Sequence, residues 1–169
     1  MNHVNLKPVT QSDLSNPECF RLYANPGPYF DNGQPKSPEE VINLLTKSGI
    51  ERFEKGDWMG FYNVYYQDKF IGQCGMTPEG EHCASTQIEN TCEIGFILFP
   101  EYRGLGLGKL LIQKMLEFIQ AHQEVKEITA TAHTENTPSW KLLESINMQR
   151  IGTIHRYGSE RYQYSLHLQ

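Results

Sequence analysis

The sequence predicts a single α/β domain over residues 1–169, because apolar runs with strand character alternate with segments whose apolar residues recur at helical spacing. The clearest instance lies mid-chain. There the apolar run Ile94–Phe99 is followed by a glycine-rich turn and then by a helical pattern over Leu107–His122. A length of 169 residues is typical of one domain, and a hydrophobic fraction of 38% is enough to form a core.

The first third of the chain predicts a strand and two helices. Val4–Val9 has strand character, and Thr10 or Ser12 is a suitable cap for a helix over about Asp13–Tyr23. Proline cannot continue a helix, so the Pro-Gly-Pro turn that follows ends it. The second helix begins at Ser37-Pro38-Glu39-Glu40, where a capping serine precedes a proline and two carboxylates.

The middle of the chain predicts a β-hairpin. Trp58–Tyr66 and Lys69–Met76 are rich in β-formers and flank the turn residues Gln67-Asp68. Pro78–Asn90 is polar and is expected to form a surface excursion before the next strand. The remaining predicted elements are the strand Cys92–Phe99, the helix Leu107–His122, the strand Glu127–Ala132, the helix Pro138–Ser145, and the strands Met148–Arg156 and Glu160–Leu168.

The turn within Pro100–Lys109 carries three alternate glycines. The first amides of a helix have no partner inside the helix, and the helix dipole adds a partial positive charge at the same end. Glycines allow an anion to approach such amides closely. A strand, a glycine turn and a helix in this order therefore predict a site for a phosphate-bearing ligand.

Two common phosphate-binding patterns are excluded by their spacing. A P-loop has glycine five positions before its Gly-Lys pair and Ser or Thr after it, whereas Gly108-Lys109 has Arg103 at that distance and Leu110 after it. A dinucleotide-binding turn has the spacing G-x-G-x-x-G, which the alternate glycines do not match. The pattern that fits is R-x-x-G-x-G, formed by Arg103, Gly106 and Gly108.

This pattern resembles the acetyl-CoA pyrophosphate loop of the GNAT N-acetyltransferase superfamily, and the predicted element order β-α-α-β-β-β-α-β-α-β-β is similar to the order in that family. The resemblance implies a twisted, mostly antiparallel central sheet, splayed between its two middle strands, with helices on both faces. A second segment, Thr134–Glu144, resembles the E-N-x-x-S-x-x-L-L-E stretch of the ribosomal-protein N-terminal (alanine) acetyltransferase branch. Asn147-Met148 replaces the Gly-Phe that follows in that branch.

The resemblance implies that acetyl-CoA lies in the gap between the splayed strands. Backbone groups of Phe96, Ile97 and Leu98 would pair with the pantetheine arm as an added strand does. Asn136 would hydrogen-bond the pantetheine region, and Ser139 would lie near the thioester sulfur and protonate the departing thiolate. Helix capping is the alternative role for both residues. The cofactor loop comprises Arg103, Gly104, Leu105, Gly106, Leu107, Gly108 and Lys109.

Glu93 is the first candidate for the general base, because it opens the loop-bearing strand and can direct its carboxylate into the acceptor cleft. An exposed carboxylate at a strand end is the alternative. Glu160, near the final hairpin, is the second candidate. Tyr29 and Phe30 follow the Pro-Gly-Pro turn and are expected to form an acceptor wall or to pack locally.

Two positions depart from better-known GNAT patterns. Thr131 stands five residues before Asn136, where some relatives have a catalytic Glu. Leu143 stands seven residues after Asn136, where many have a tyrosine acid. The departures predict catalysis that depends largely on proximity and on backbone amides that polarise the carbonyl.

Composition limits the class of partner and the compartment. A net charge of −5 argues against nucleic acid as a main partner, and the sequence predicts no membrane association and a cytoplasmic location. The four cysteines have no CxxC spacing, and His82, Cys83 and Cys92 lack the paired spacing of a zinc site, so no metal is predicted. The resemblance is compatible with a homodimer.

Together these features predict an acetyl-CoA-dependent N-acetyltransferase. The acceptor is a primary amine, whether a peptide N-terminus, a polyamine or a small-molecule amine, and it attacks directly in a ternary complex. The alternative is a non-catalytic acyl-CoA-binding sensor or interaction module on the same fold.

Overall fold

The computed structural model describes residues 3–78 and 90–169. Within these ranges, seven strands form one sheet in the order β1-β2-β3-β4-β5-β7-β6. The strands are β1 Val4–Pro8, β2 Gly60–Tyr66, β3 Lys69–Thr77, β4 Thr91–Leu98, β5 Glu127–His133, β6 Gln149–Arg156 and β7 Ser159–His167. The predicted excursion over Pro78–Asn90 lies mostly outside the described residues.

The helices are α1 Pro17–Ala24, α2 Pro38–Leu45, α3 Glu51–Glu54, α4 Leu107–Gln120 and α5 Thr137–Ser145. A π-helical turn over Thr46–Ile50 joins α2 to α3. Ser37 caps α2 through the predicted capping box with Glu40. In none of the described helices do length and apolar character together suffice for a membrane span.

The predicted start of the first helix was wrong. Gln11–Ser15 forms a separate 3-10 turn, and α1 begins at Pro17 with Asn16 as its cap. The Asn16 side chain accepts a hydrogen bond of 3.1 Å from the Glu18 amide. Proline favours the first helical position because its missing N–H has no partner there in any case, so Pro17 starts a new helix.

The predicted splay between the middle strands is confirmed. β4 and β5 run parallel and pair only at Thr91–Glu93 with Glu127–Thr129. Beyond these three positions the strands separate, whereas β3 continues along β4 as far as Leu98. The result is a wedge-shaped gap that opens toward the end of β4 where α4 begins.

Apolar residues cover both faces of the sheet. On one face α4 and α5 bury Leu111, Met115 and Leu143 against the sheet. On the other face α1 and α2 form a second core with Ile97 and Phe99 of the β4 region. The gap therefore has two sides, an α4–α5 side and an α1–α2 side.

Candidate active site

The glycine loop leaves the start of α4 open. Gly104 and Gly106 have φ angles of +73° and +77°, in the left-handed region that favours glycine. Gly106 is the N-cap of α4 and has no side chain to bond the first helical amides. Those amides also have no partner inside the helix. The turn therefore presents backbone N–H groups and the positive end of a 14-residue helix at the mouth of the gap.

Gly108 brings α4, α5 and β4 together. A Cβ at this position would lie 3.2 Å from Leu142 Cδ2 and 3.3 Å from Phe96 Cζ. These are tight contacts, so the absence of a side chain permits the close approach. The third glycine thus has a packing role, and it places the start of α4 directly against α5.

The free edge of β4 faces the gap through alternate residues. The Phe99 amide donates to the Ile71 carbonyl at 3.0 Å across the β3–β4 pair. In an antiparallel ladder, successive residues direct their backbone N–H and C=O groups to opposite sides of the strand. The backbone groups of Ile97, like those of Phe99, therefore point toward β3, and those of Phe96 and Leu98 point into the gap. Phe96 and Leu98 are thus the predicted pantetheine partners whose backbone groups face the gap.

Asn136 occupies the N-cap position of α5, but its side chain makes no cap hydrogen bond. Ser139 and Leu142 are three residues apart and are therefore neighbours on one face of α5, whereas Asn136 precedes the first helical residue. Because Leu142 contacts Gly108, this face is directed toward the start of α4. Ser139 therefore lies on the helix face that borders the glycine loop, and Asn136 lies at the start of the same helix.

Glu93 lies where the gap begins, at the last paired position of β4. Strand alternation places it on the α1–α2 side together with Ile97. It is 8% exposed and forms an ion pair with the equally buried Arg156 of β6. Its register partner Thr129 has a buried hydroxyl with no hydrogen-bond partner among the described residues. Glu93 is therefore a buried, charge-paired group and not an exposed strand-end carboxylate.

A family model described as an acetyltransferase (GNAT) domain matches residues 3–149. The chain belongs to the GNAT acetyltransferase family. A Bacillus licheniformis protein named Uncharacterized N-acetyltransferase p20 is 30% identical to it over 85% of this chain and 73% of its own length. The predicted family and the prediction of an N-acetyltransferase are thereby confirmed.

Solved structures share the fold at low sequence identity. RimL, a ribosomal L7/L12 α-N-protein acetyltransferase in complex with coenzyme A, superposes with a TM-score of 0.77 at 16% identity, over 98% of this chain and 94% of its own. A Salmonella typhimurium acetyltransferase, described as modifying the N-terminal serine of ribosomal protein L7/L12, gives 0.76 at 15% identity, over 98% and 95%. The predicted GNAT fold is confirmed.

The loop between α1 and α2 crosses the α1–α2 side of this GNAT gap. The Tyr29 ring lies 4.9 Å from that of His133 at the end of β5. The ring centroid of Phe30 lies 6.0 Å from that of Tyr23, and Phe30 packs against the second core. Tyr29 is thus placed at the gap, whereas Phe30 anchors the loop.

Arg161 of β7 also reaches this loop and was not found by sequence reasoning. Its guanidinium donates to the Thr131 hydroxyl at 2.8 Å and to the Tyr29 carbonyl at 3.3 Å. Burial lowers the pKa of this guanidinium, although an arginine with a reduced pKa is still a cation at neutral pH. Thr131, which replaces the catalytic Glu of some relatives, is therefore a hydrogen-bond partner of Arg161.

The remaining catalytic candidates lie in different settings. Glu160 is exposed on the final hairpin, 3.5 Å from His155. Leu143, which replaces the tyrosine acid of many relatives, is 4% exposed and belongs to the core. Glu93 is thus the carboxylate that the fold places at the gap itself.

The three described cysteines are buried and free. Burial raises the pKa of the Cys19 and Cys92 thiols to about 12, so neither supplies a thiolate at neutral pH. The described ranges contain no group of three or more His, Cys, Asp or Glu side chains arranged to hold a metal. His82 and Cys83 lie outside those ranges.

Proposed function

We propose that this chain transfers the acetyl group of acetyl-CoA directly to a primary amine, and that the α-amine of a peptide is its acceptor. The observation that carries the proposal is the uncapped start of α4 at the open end of the β4–β5 gap. An anion site made of backbone amides and a free strand edge beside it suits a ligand that joins a pyrophosphate to an amide-containing arm.

On the donor side, the amides that follow Gly106 bind the pyrophosphate of acetyl-CoA. The backbone groups of Phe96 and the amide of Leu98 pair with the pantetheine arm, because the Leu98 carbonyl already accepts from Arg103 Nε at 3.0 Å. Asn136, whose side chain does not cap α5, donates to or accepts from the same arm. Ser139 protonates the thiolate as it leaves and regains a proton from solvent, to which Glu93 returns the proton of the amine.

On the acceptor side, Glu93 takes the proton of the attacking amine. The amine nitrogen bonds to the thioester carbonyl carbon, the carbon–sulfur bond breaks, and the amine proton passes to the carboxylate directly or through water. The ion pair with Arg156 holds the Glu93 carboxylate in position.

The α-amine is the better acceptor on chemical grounds. With a pKa of about 7.7–8.0 it is roughly a tenth neutral at pH 7, whereas lysine, near 10.4, is neutral in only about one molecule in a few thousand. The likeness in fold to enzymes described as acetylating ribosomal-protein N-termini supports the same class. None of the described cysteines is suited to carry a covalent acetyl group, which supports direct transfer.

The experiment is acetyl-CoA-dependent release of free thiol across a panel of N-terminal peptides, polyamines and small amines, with wild type and Glu93→Gln. The proposal is supported if peptides are turned over faster than polyamines and small amines, and if the rate with peptides is at least about tenfold lower in Glu93→Gln at unchanged acetyl-CoA affinity. Turnover confined to polyamines or small amines contradicts the acceptor class.

A second candidate function is a non-catalytic acyl-CoA-binding module, favoured by the burial of Leu143 where many relatives have a tyrosine acid. Such a module binds acetyl-CoA but releases no thiol in either form. A rise in melting temperature with acetyl-CoA, without turnover on any amine, would establish it.

A further inference from the structure

The segment 25–33 between α1 and α2, here called the bridge, contacts both limbs of the gap. On the β4–α4 limb, Arg103 donates from Nη2 to the Asn25 carbonyl at 3.1 Å. On the β5–β7 limb, Arg161 donates from Nη1 to the Tyr29 carbonyl at 3.3 Å. The bridge therefore spans the gap on the α1–α2 side, opposite the helices that border the glycine loop.

Arg103 is committed to this contact by its other bonds. Its Nε donates to the Leu98 carbonyl at 3.0 Å, and its backbone amide donates to the Pro100 carbonyl at 3.2 Å. A Cβ at Gly27 would lie 3.1 Å from Arg103 Nη1, so the guanidinium is packed against the bridge backbone. The side chain thus points to β4 and the bridge, whereas the free amides begin beyond it.

The bridge is held in a backbone conformation that needs such support. Asp31 and Asn32 have φ angles of +48° and +55°, and Gly33 follows at +76°. Left-handed conformations of non-glycine residues persist where surrounding contacts fix them, and they cluster at functional sites. Asn32 also lies against Gly158 of the β6–β7 turn, 3.6 Å from the position of a Cβ there.

We infer that Arg103 and Arg161 are positioning residues for the amine acceptor: they fix the bridge as one wall of the acceptor site, and the Arg103 side chain does not bind the phosphates of acetyl-CoA. The inference rests on the proposed function. It assigns the arginine of R-x-x-G-x-G to the acceptor side, although its neighbours in the same loop belong to the donor side. The wall acts on acceptor binding, so it affects the KM for the amine more than kcat.

Arg103→Lys and Arg103→Gln separate the two roles of this residue. Lysine keeps the charge that a phosphate ligand needs, but it lacks the planar fork that joins the Leu98 and Asn25 carbonyls. We expect both variants to raise the amine KM about five- to tenfold, with acetyl-CoA affinity by calorimetry within twofold of wild type. Arg161→Lys is expected to act in the same direction.

The matched control is Arg52→Lys. Arg52 also donates Nε to a backbone carbonyl, that of Met59 at 3.0 Å, but in the turn between α3 and β2. The amine KM and the acetyl-CoA affinity should both stay at wild-type values in this variant. Weaker acetyl-CoA binding in Arg103→Gln than in Arg103→Lys, with an unchanged amine KM, would show that Arg103 binds phosphate and would overturn the inference. An unchanged amine KM together with an unchanged acetyl-CoA affinity in both variants would also overturn it.

Amide hydrogen exchange of residues 25–33 needs no substrate. It therefore distinguishes failure of the proposed function from failure of the inference about the bridge. Faster exchange there in Arg103→Lys supports the fixed bridge, even if wild type turned over no amine and the proposed function failed. Unchanged exchange in a folded variant contradicts the inference, whatever the turnover.

Discussion

Asn136 and Asn16 occupy the same position in two helices, but their side chains do different things. Asn16 caps α1 through the Glu18 amide, whereas Asn136 precedes α5 without a cap hydrogen bond. A residue of good capping type that does not cap leaves its polar groups for another partner. In the proposed site that partner is the pantetheine arm of acetyl-CoA.

Asn136→Ala is therefore expected to change ligand binding and not stability. It should weaken acetyl-CoA binding about five- to tenfold, through one lost hydrogen bond, and lower the free energy of unfolding by less than about 0.5 kcal/mol. Asn16→Ala should do the reverse, losing about 1 kcal/mol of stability at unchanged affinity. Calorimetry and urea unfolding measure both; a stability loss in Asn136→Ala like that in Asn16→Ala would count against the assignment.

Single residues also show where sequence reasoning stops. Glu93 was predicted from its place at the start of a strand, but its partner Arg156 lies 63 positions away. Nothing in the local pattern around Arg156 indicates that contact. Likewise, the direction of the Arg103 side chain depends on the carbonyls of Leu98 and Asn25, which only the folded chain brings together.

At the scale of elements, the start of α4 depends on glycine for two separate reasons. Gly106 supplies a left-handed backbone, and Gly108 permits contact with α5. Gly56, at the end of α3, has a similar φ of +83°, and a Cβ there or at Gly106 would meet no atom within 4 Å. Gly56 and Gly106 differ mainly in their surroundings, because only Gly106 lies beside the free amides at the start of α4.

Gly106→Ala and Gly56→Ala form a matched pair for this reason. Each forces a side chain into the left-handed region, so each should lower the free energy of unfolding by about 1–2 kcal/mol. Only Gly106→Ala places a methyl group beside the free amides of α4, so only it should weaken acetyl-CoA binding, by at least about tenfold. Equal affinities in the two variants would argue against the loop as the pyrophosphate site.

The second motif has a structural function besides its predicted ligand contacts. Glu144, its last residue, accepts a 2.5 Å hydrogen bond from the Tyr164 hydroxyl and pairs with Arg150 at 2.9 Å. These contacts tie α5 to β7 and β6. The hydrogen bond from Tyr164, followed by the pairing with Arg150, holds the pKa of Glu144 below its ordinary value.

This shift predicts a pH-dependent contribution to stability. Because the pKa of Glu144 is lower in the folded state, its stabilisation is complete above the unfolded value, about 4.3, and is lost as the pH falls through the folded value. Glu144→Gln should therefore lower the melting temperature at pH 7, and the difference should shrink below about pH 4. Tyr164→Phe should show part of the same loss; a difference that stays constant from pH 7 to pH 3 would contradict this account.

Element boundaries were predictable wherever the signal was local. The capping box at Ser37 and the glycine turn before α4 define where their helices start, and both starts are as predicted. The sequence after Ser37 predicts a helix that continues to Phe53, but α2 ends at Leu45 and a π-helical turn follows. The prediction of one helix over Asp13–Tyr23 is wrong because Pro17 begins a new helix, with Asn16 as its cap. In the sequence, a proline that starts a helix cannot be distinguished from one that interrupts a helix. The structure distinguishes them here because the Asn16 side chain caps the helix that begins at Pro17.

At the scale of the whole molecule, the site is a consequence of how two limbs of one sheet diverge. β4 carries the glycine loop on one limb, β5 carries α5 on the other, and the strands pair over only three positions. The order of elements predicted this splay through the family resemblance. The closure of the α1–α2 side by a loop anchored on both limbs depends on distant contacts and was not predictable from spacing.

Amide hydrogen exchange with and without acetyl-CoA tests, over the whole chain, whether acetyl-CoA binds in the β4–β5 gap. Bound ligand excludes water from the amides it contacts. We expect slower exchange in peptides that cover 94–110 and 134–142, with little change in β1, β6 or the C-terminal residues. Protection confined to another region, or none at saturating acetyl-CoA, would contradict it.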